Sequence, residues 1–272
     1  MTVTTEARLD TPKGHYRCKH VARSEIAKIT SLRSTPITLG LTFVACLLVT
    51  GLVTHGALHH APDYYRLGFD ATQDSLTGMI TVGLTGGVFG ALLITGEYSS
   101  GTIRTALAAT PKRPLLVATK TGVTAALTVV FCEVLSFISF FLGQAILSHG
   151  GAPAATLATP GAARAVLMTG VFIALMATMS FGFGLIFRST AAAIASFVGV
   201  IFVLPLVLHG ISESSIRYLP TNALTQSIMA TVNQGQGGSF VPVSPVVGLL
   251  LMTLYAATVL AVGATLFIRR DT

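Results

Sequence analysis

Few side chains in this 272-residue sequence are placed to do chemistry, because only 10% of its residues are charged. Glu133 is one of them, set within the long apolar run 115–147. A carboxylate at membrane depth is costly, so it is a functional hypothesis by default: it could line a pore, contact a cationic substrate or carry a proton. A structural Glu, protonated or hydrogen-bonded by Ser136, Gln144 or a group on another helix, fits equally well, and both readings stay open. His55, His59 and His60 gather near Asp63 at the end of an earlier apolar run. His55 and His59 share one helix face, a spacing that can bind zinc, but no Glu lies between them as the metalloprotease pattern requires. They read as an exposed interfacial cluster, and no metal site is expected. The third group lies in the polar stretch 96–114, which carries Glu97, Tyr98, Gly101, Thr102, Arg104, Pro111 and Arg113. Ile103 and Leu107, with Thr110, fall on one side at helical spacing. Gly101 and Thr102 mark a start, and Pro111 and Pro114 force a stop.

The elements that must position these groups follow from composition. Hydrophobic residues make up 52% of the chain and the mean hydropathy is +0.75, whereas ordinary soluble domains carry about 25% charged residues. The apolar residues come in blocks of membrane-spanning length. The fold class is therefore all-α: a polytopic membrane protein with six transmembrane helices and no soluble domain. The predicted spans are 37–58, 76–95, 115–147, 162–187, 191–208 and 246–268. Residues 1–15 read as a disordered tail, and 16–272 as a single six-span domain. The third span would run roughly 50 Å at 1.5 Å per residue, so its first turns, with Lys120, project beyond a bilayer core of about 30 Å.

Before the first span, Tyr16, Val21, Ile26, Ile29 and Leu32 recur at helical spacing, while Arg17, Lys19, Arg23, Glu25, Lys28 and Arg33 point elsewhere. Segment 16–34 reads as an amphipathic helix in the membrane interface. In the second span Gly83, Gly86, Gly87 and Gly90 leave bare backbone on one face, which reads as a helix-packing surface. Segment 209–245 is half polar and holds a short helix at about 222–232. Cys18, Cys46 and Cys132 are far apart and give no disulfide framework.

Lys and Arg set the orientation. The tail, the 96–120 stretch, the fourth-to-fifth turn and the C-terminus carry 14 of them, against three on the other side. The positive-inside rule then puts both termini, and the 97–113 stretch, in the cytoplasm of a cell inner (plasma) membrane. Other classes lose support. No glycine-rich loop precedes a Lys, so no ATP site is encoded and the chain is not expected to be an enzyme. An intramembrane serine protease would need a Ser and His brought together, but Ser99 and Ser100 lie on the side opposite the histidines. An ion-gradient carrier or channel working alone through Glu133 is the alternative, although no internal repeat is visible. From spacing alone, 97–113 is more simply a structured loop with solvated charges than a docking element.

A resemblance changes that balance. The run Glu97-Tyr-Ser-Ser-Gly-Thr-Ile-Arg-Thr-Ala-Leu-Ala-Ala-Thr-Pro-Lys-Arg113 resembles the signature that follows the second span in ABC type-2 membrane permeases. The run Arg23-Ser-Glu-Ile-Ala-Lys-Ile-Thr-Ser-Leu-Arg-Ser-Thr35 is similar to that family's entry segment. The two runs and six spans together cover nearly the whole chain. The resemblance implies an elbow helix at 16–34, a coupling helix at 97–113 and an external capping segment at 209–245. It implies a pore formed with a second permease subunit as a homodimer or heterodimer, and separate ATPase subunits that bind ATP and Mg. Glu97, Tyr98, Gly101, Thr102, Arg104, Pro111 and Arg113 would couple to the ATPase, with Gly101 allowing close approach. The function implied is ATP-driven transport, as an exporter of a hydrophobic or amphipathic substrate. The partners are then the membrane, the ATPase and the second permease, with no nucleic acid. Ala108-Ala-Thr110 before Pro111 is less bulky than many members' versions.

Overall fold

A computed structural model describes residues 18–31, 34–59, 69–109, 113–209, 218–230 and 243–270. The tail at 1–15, His60, Asp63, Thr110, Pro111 and Lys112 lie outside the described residues. Among the described residues every regular element is a helix, and six stretches are long and apolar enough to cross a membrane. The chain is an all-α polytopic membrane protein.

The elements are α1 (Cys18–Ser31), α2 (Ser34–Ala57), α3 (Ala71–Leu76), α4 (Gly78–Ser99), α5 (Thr102–Ala109), α6 (Arg113–His149) and α7 (Ala162–Phe187). Then come α8 (Thr190–Val198), a π turn (Gly199–Val203), α9 (Leu204–His209), α10 (Pro220–Ile228) and α11 (Pro245–Arg270). The spans are α2, α3 with α4, α6, α7, α8 through α9, and α11. At 37 residues, α6 is about 55 Å long and overshoots a bilayer core, as its apolar run foretells.

One boundary differs from the sequence reading. The second span begins at Ala71 rather than near residue 76, because Asp70 caps it: the carboxylate accepts hydrogen bonds from the Thr72 and Gln73 amides at 2.9 and 3.1 Å. This polar opening turn is tolerated because α6 and α2 supply partners. The Gln144 amide donates to the Ala71 carbonyl and the Ser75 hydroxyl, each at 2.9 Å. Ser139 donates to the Ser75 carbonyl at 2.8 Å and lies 2.6 Å from the Thr50 hydroxyl. Away from bulk water, each buried polar group has to find such a partner.

The centre of the bundle is α7, whose apolar window is 72% buried against 22% for α2 and for α11. In lipid the apolar effect does not drive helix against helix, so small residues that allow close backbone contact do. The predicted glycine face of α4 is such a surface: Gly90 lies directly on the Ala177 backbone of α7. On the other side of α7, Gly182 meets Gly263 of α11. Cys46 and Cys132 are buried in the same packing.

In the fifth span Pro205 cannot donate the α-helical hydrogen bond to the Ile201 carbonyl, and the helix widens into the π turn there. The Thr221 hydroxyl at the start of α10 donates to that carbonyl instead. The described part of segment 209–245 is thus a short helix fastened to the bundle end. Arg164 of α7 donates to the Met229 and Ala230 carbonyls beyond it, at 2.9 and 3.0 Å.

Gly90→Ala would drive a methyl group into the Ala177 carbonyl, where only backbone movement can relieve it. We expect a loss of about 1–3 kcal/mol. At Gly96, near the end of α4, a Cβ meets nothing within 4 Å; Gly96→Ala should be neutral or stabilising by up to about 1 kcal/mol. Thermal unfolding of the two purified variants in one detergent checks both.

Candidate functional site

The polar stretch and the N-terminal helix meet at one end of the bundle. α4 runs on through Ser99, and Gly101 then turns the chain with φ of +72°. A side chain at Gly101 would meet no other atom of this chain, and the glycine serves the left-handed turn. α5 follows and is only 8 residues long, too short to hold itself in water. It is held by Ile103, which is 7% exposed in a cluster with Ile94, Val117, Phe181, Leu185 and Phe267, drawn from four spans. Burying Ile103 contributes about 1.5–3 kcal/mol. Leu107 packs on the same cluster, while Thr102, Arg104, Thr105 and Ala108 face outward.

The expected helix over 97–113 is therefore shared among three elements. Glu97 and Tyr98 belong to the last turn of α4, and only residues 102–109 form the short helix. Tyr98 packs on the Ile103 cluster with the Arg188 guanidinium 5.5 Å from its ring centre. Arg113 begins α6 and donates to the Ile268 carbonyl near the end of α11, at 3.4 Å.

Glu97 turns inward. Its Oε1 lies 2.5 Å from Lys120 Nζ of α6, and the same ammonium is 2.6 Å from Glu25 Oε2 of α1. Lys28 completes the group, 3.1 Å from Glu25 and 3.7 Å from Glu97. Two carboxylates and two ammoniums give a neutral cluster joining α1, α4 and α6. Lys120 is 4% exposed, Glu25 7% and Glu97 15%. At that burial each charge depends on its partners. Burial alone would lower the Lys28 pKa, but the Glu97 and Glu25 carboxylates outweigh it and hold the ammonium above its usual value. A raised lysine stabilises fully below the usual value of 10.5 and loses that contribution only as pH climbs past its folded value, so Lys28 stays charged across the physiological range.

This cluster corrects one expectation. Glu25 does not point away with the other charges of α1. It faces the bundle, and Ile26 is the outward residue at 53% exposed. Lys120 is covered as well, because α1 lies across the start of α6. The signals were present but faint: Glu25 is the sole acid between residues 11 and 62, and Lys120 the sole basic residue in the run 115–147. Nothing in the spacing links two residues 95 apart.

Glu133 sits apart from the cluster, in α6, with its carboxyl against Gly170 of α7, where any Cβ would collide with it. Among the described residues neither buried carboxyl oxygen closes a hydrogen bond of good geometry. Ser136 donates to the Val166 carbonyl and Gln144 to α3, so neither of those proposed partners serves it. At the opposite end of the bundle, His55 and His59 stand 3.4 Å apart between Nε2 atoms. Among the described residues no group of three or more His, Cys, Asp or Glu gathers to hold a metal.

Fold and site together define a six-span helical membrane protein with an ion cluster tying its surface helix to two spans. No protein-family model matches the chain, and no curated protein matches it.

Lys120→Met leaves two buried carboxylates facing each other with only the half-exposed Lys28 between them. We expect a loss of about 3–5 kcal/mol, partly restored when Glu25 and Glu97 are both changed to Gln, as read by thermal unfolding in nanodiscs.

Proposed function

We propose that the chain is the membrane-spanning permease subunit of an ATP-driven transporter of the ABC type-2 class, exporting a hydrophobic or amphipathic substrate. It works with a second permease subunit and a separate ATPase subunit that binds ATP and Mg, and both of its termini are cytoplasmic. The observation that carries this reading is the mounting of α5. Its apolar side is seated by Ile103 on a cluster fed by four spans, while Arg104 is left exposed. A push on that helix would be delivered to α4, α6, α7 and α11 together. The Lys120 cluster would pass the same displacement to α1. Arg104 is the charge available to an acidic surface on the ATPase. Glu97, Tyr98 and Arg113, which also belong to the resembling motif, would support the mount from inside through Lys120, Arg188 and Ile268.

A second reading is favoured by the unpartnered carboxyl of Glu133: an ion-coupled carrier or channel with that group as its ion or proton site. One reconstitution with the ATPase separates the two. Under the permease reading, Arg104→Glu leaves assembly and ATP binding intact but lowers substrate-coupled transport by about tenfold, the cost of reversing one interfacial charge pair, while Glu133→Gln leaves ATP-driven transport unchanged. If transport ignores Arg104 and ATP but falls with Glu133→Gln, the carrier reading replaces it.

A further inference from the structure

At the end of the bundle opposite α5, His55 of α2 and His59 just beyond it bring two imidazoles together. Their Nε2 atoms are 3.4 Å apart, their ring centres 5.1 Å apart, and their planes are nearly perpendicular at 82°. That separation is long for a hydrogen bond, since those donated by a ring N–H cluster near about 3 Å. As an edge of a coordination sphere it fits. Two imidazoles bound to one cation at about 2.0–2.1 Å and at the tetrahedral angle stand about 3.3 Å apart at nitrogen and about 5.2 Å apart at their ring centres. The second distance matters as much as the first. The ring centres are farther apart than the nitrogens, but by less than a head-on approach would put them, so the two nitrogens converge on a common point. A tetrahedral cation sets no relation between ring planes, and the perpendicular arrangement is no obstacle.

The surroundings supply what else such a site needs: ordered backbone and a way in. His55 lies in the helix proper, and the His59 amide donates to the Gly56 carbonyl at 3.1 Å in the turn that follows. Leu58 between them rests on Gly150 just after α6, where a Cβ would collide with it. An open cleft of about 430 Å³ is bordered by His55, Leu58, Ala145, Ile146, His149 and Gly150, and admits a hydrated cation. His149 belongs to that wall and not to the ligand set: its Nδ1 donates to the Ala145 carbonyl at 2.8 Å, which ties the ring to its own helix.

We propose that the Nε2 atoms of His55 and His59 bind a divalent transition-metal cation of tetrahedral preference, Zn²⁺ being the type, with water completing its shell. Imidazole suits Zn²⁺ and its neighbours in the series, whereas Mg²⁺ and Ca²⁺ take oxygen ligands. The bound cation bridges the last part of α2 to the turn after it, and so holds Leu58 against the end of α6. The site is separate from the ion cluster and from the transport reading, and neither depends on it.

The test titrates the purified, untagged full chain in phosphatidylcholine nanodiscs with ZnCl₂ in a non-coordinating buffer, read by calorimetry and by thermal unfolding. One saturable site per chain is expected, and saturating Zn²⁺ raises the unfolding temperature because the folded pair binds it better than the unfolded chain does. Both side chains are exposed, so their replacement leaves the packing intact. His55→Gln and His59→Gln should each weaken binding by at least about tenfold, since losing even an outer-shell partner costs that much, and each should remove the thermal shift. His149→Gln should keep both, and MgCl₂ should give neither. Absence of saturable Zn²⁺ binding overturns the proposal. So does binding that survives His55→Gln and His59→Gln, that is lost in His149→Gln, or that MgCl₂ reproduces.

Discussion

One ammonium holds one end of this molecule together. Lys120 lies within 2.6 Å of carboxylates from two different helices and is almost wholly buried. In so poor a solvent for ions, none of the four charges can leave without stranding another. The consequence is mechanical. α1 is only 14 residues long and its Ile26 faces away from the bundle at 53% exposed, so attachment to the spans falls to its inward side. Glu25 supplies that attachment. The same lysine fixes the last turn of α4, from which Gly101 launches α5.

The spans behind this end are held by a different device. Close backbone contact at Gly90 and at Gly182 sets α4 and α11 against α7, and hydroxyl and amide groups fill the seam where α3 enters. Small residues give contact without bulk, and the polar seam gives direction. Pro205 interrupts the fifth span, and Thr221 from a separate helix repairs the missing hydrogen bond. That ties the loop side of the bundle to its interior.

Much of this was legible in the sequence, for stated physical reasons. Span number and order follow from apolar run length, because a helix crossing a membrane has no other way to satisfy its backbone. Gly101 as a turn and Ile103 with Leu107 as one apolar side were readable from local rules. The start of α3 was not read, because Asp70 and Asp74 look like loop residues until Asp70 is recognised as a cap. The ion cluster was not readable at all. Amphipathic periodicity places Glu25 with the solvated charges, and only the fold brings Lys120 to it. Glu133 was visible as an oddity, but its seat against Gly170 depends on the packing of α6 on α7.

Taken together, the exposed side of α5 and the cluster behind it describe one coupled region rather than two separate features. The permease account requires a motor outside this chain. Its most direct test is affinity purification from the native membrane under mild detergent, followed by reconstitution of what is recovered. The account predicts that an ATP-binding soluble subunit remains bound to the chain and that transport in the proteoliposomes requires ATP hydrolysis. Recovery of this chain alone, transporting under an ion gradient with no nucleotide present, would contradict it.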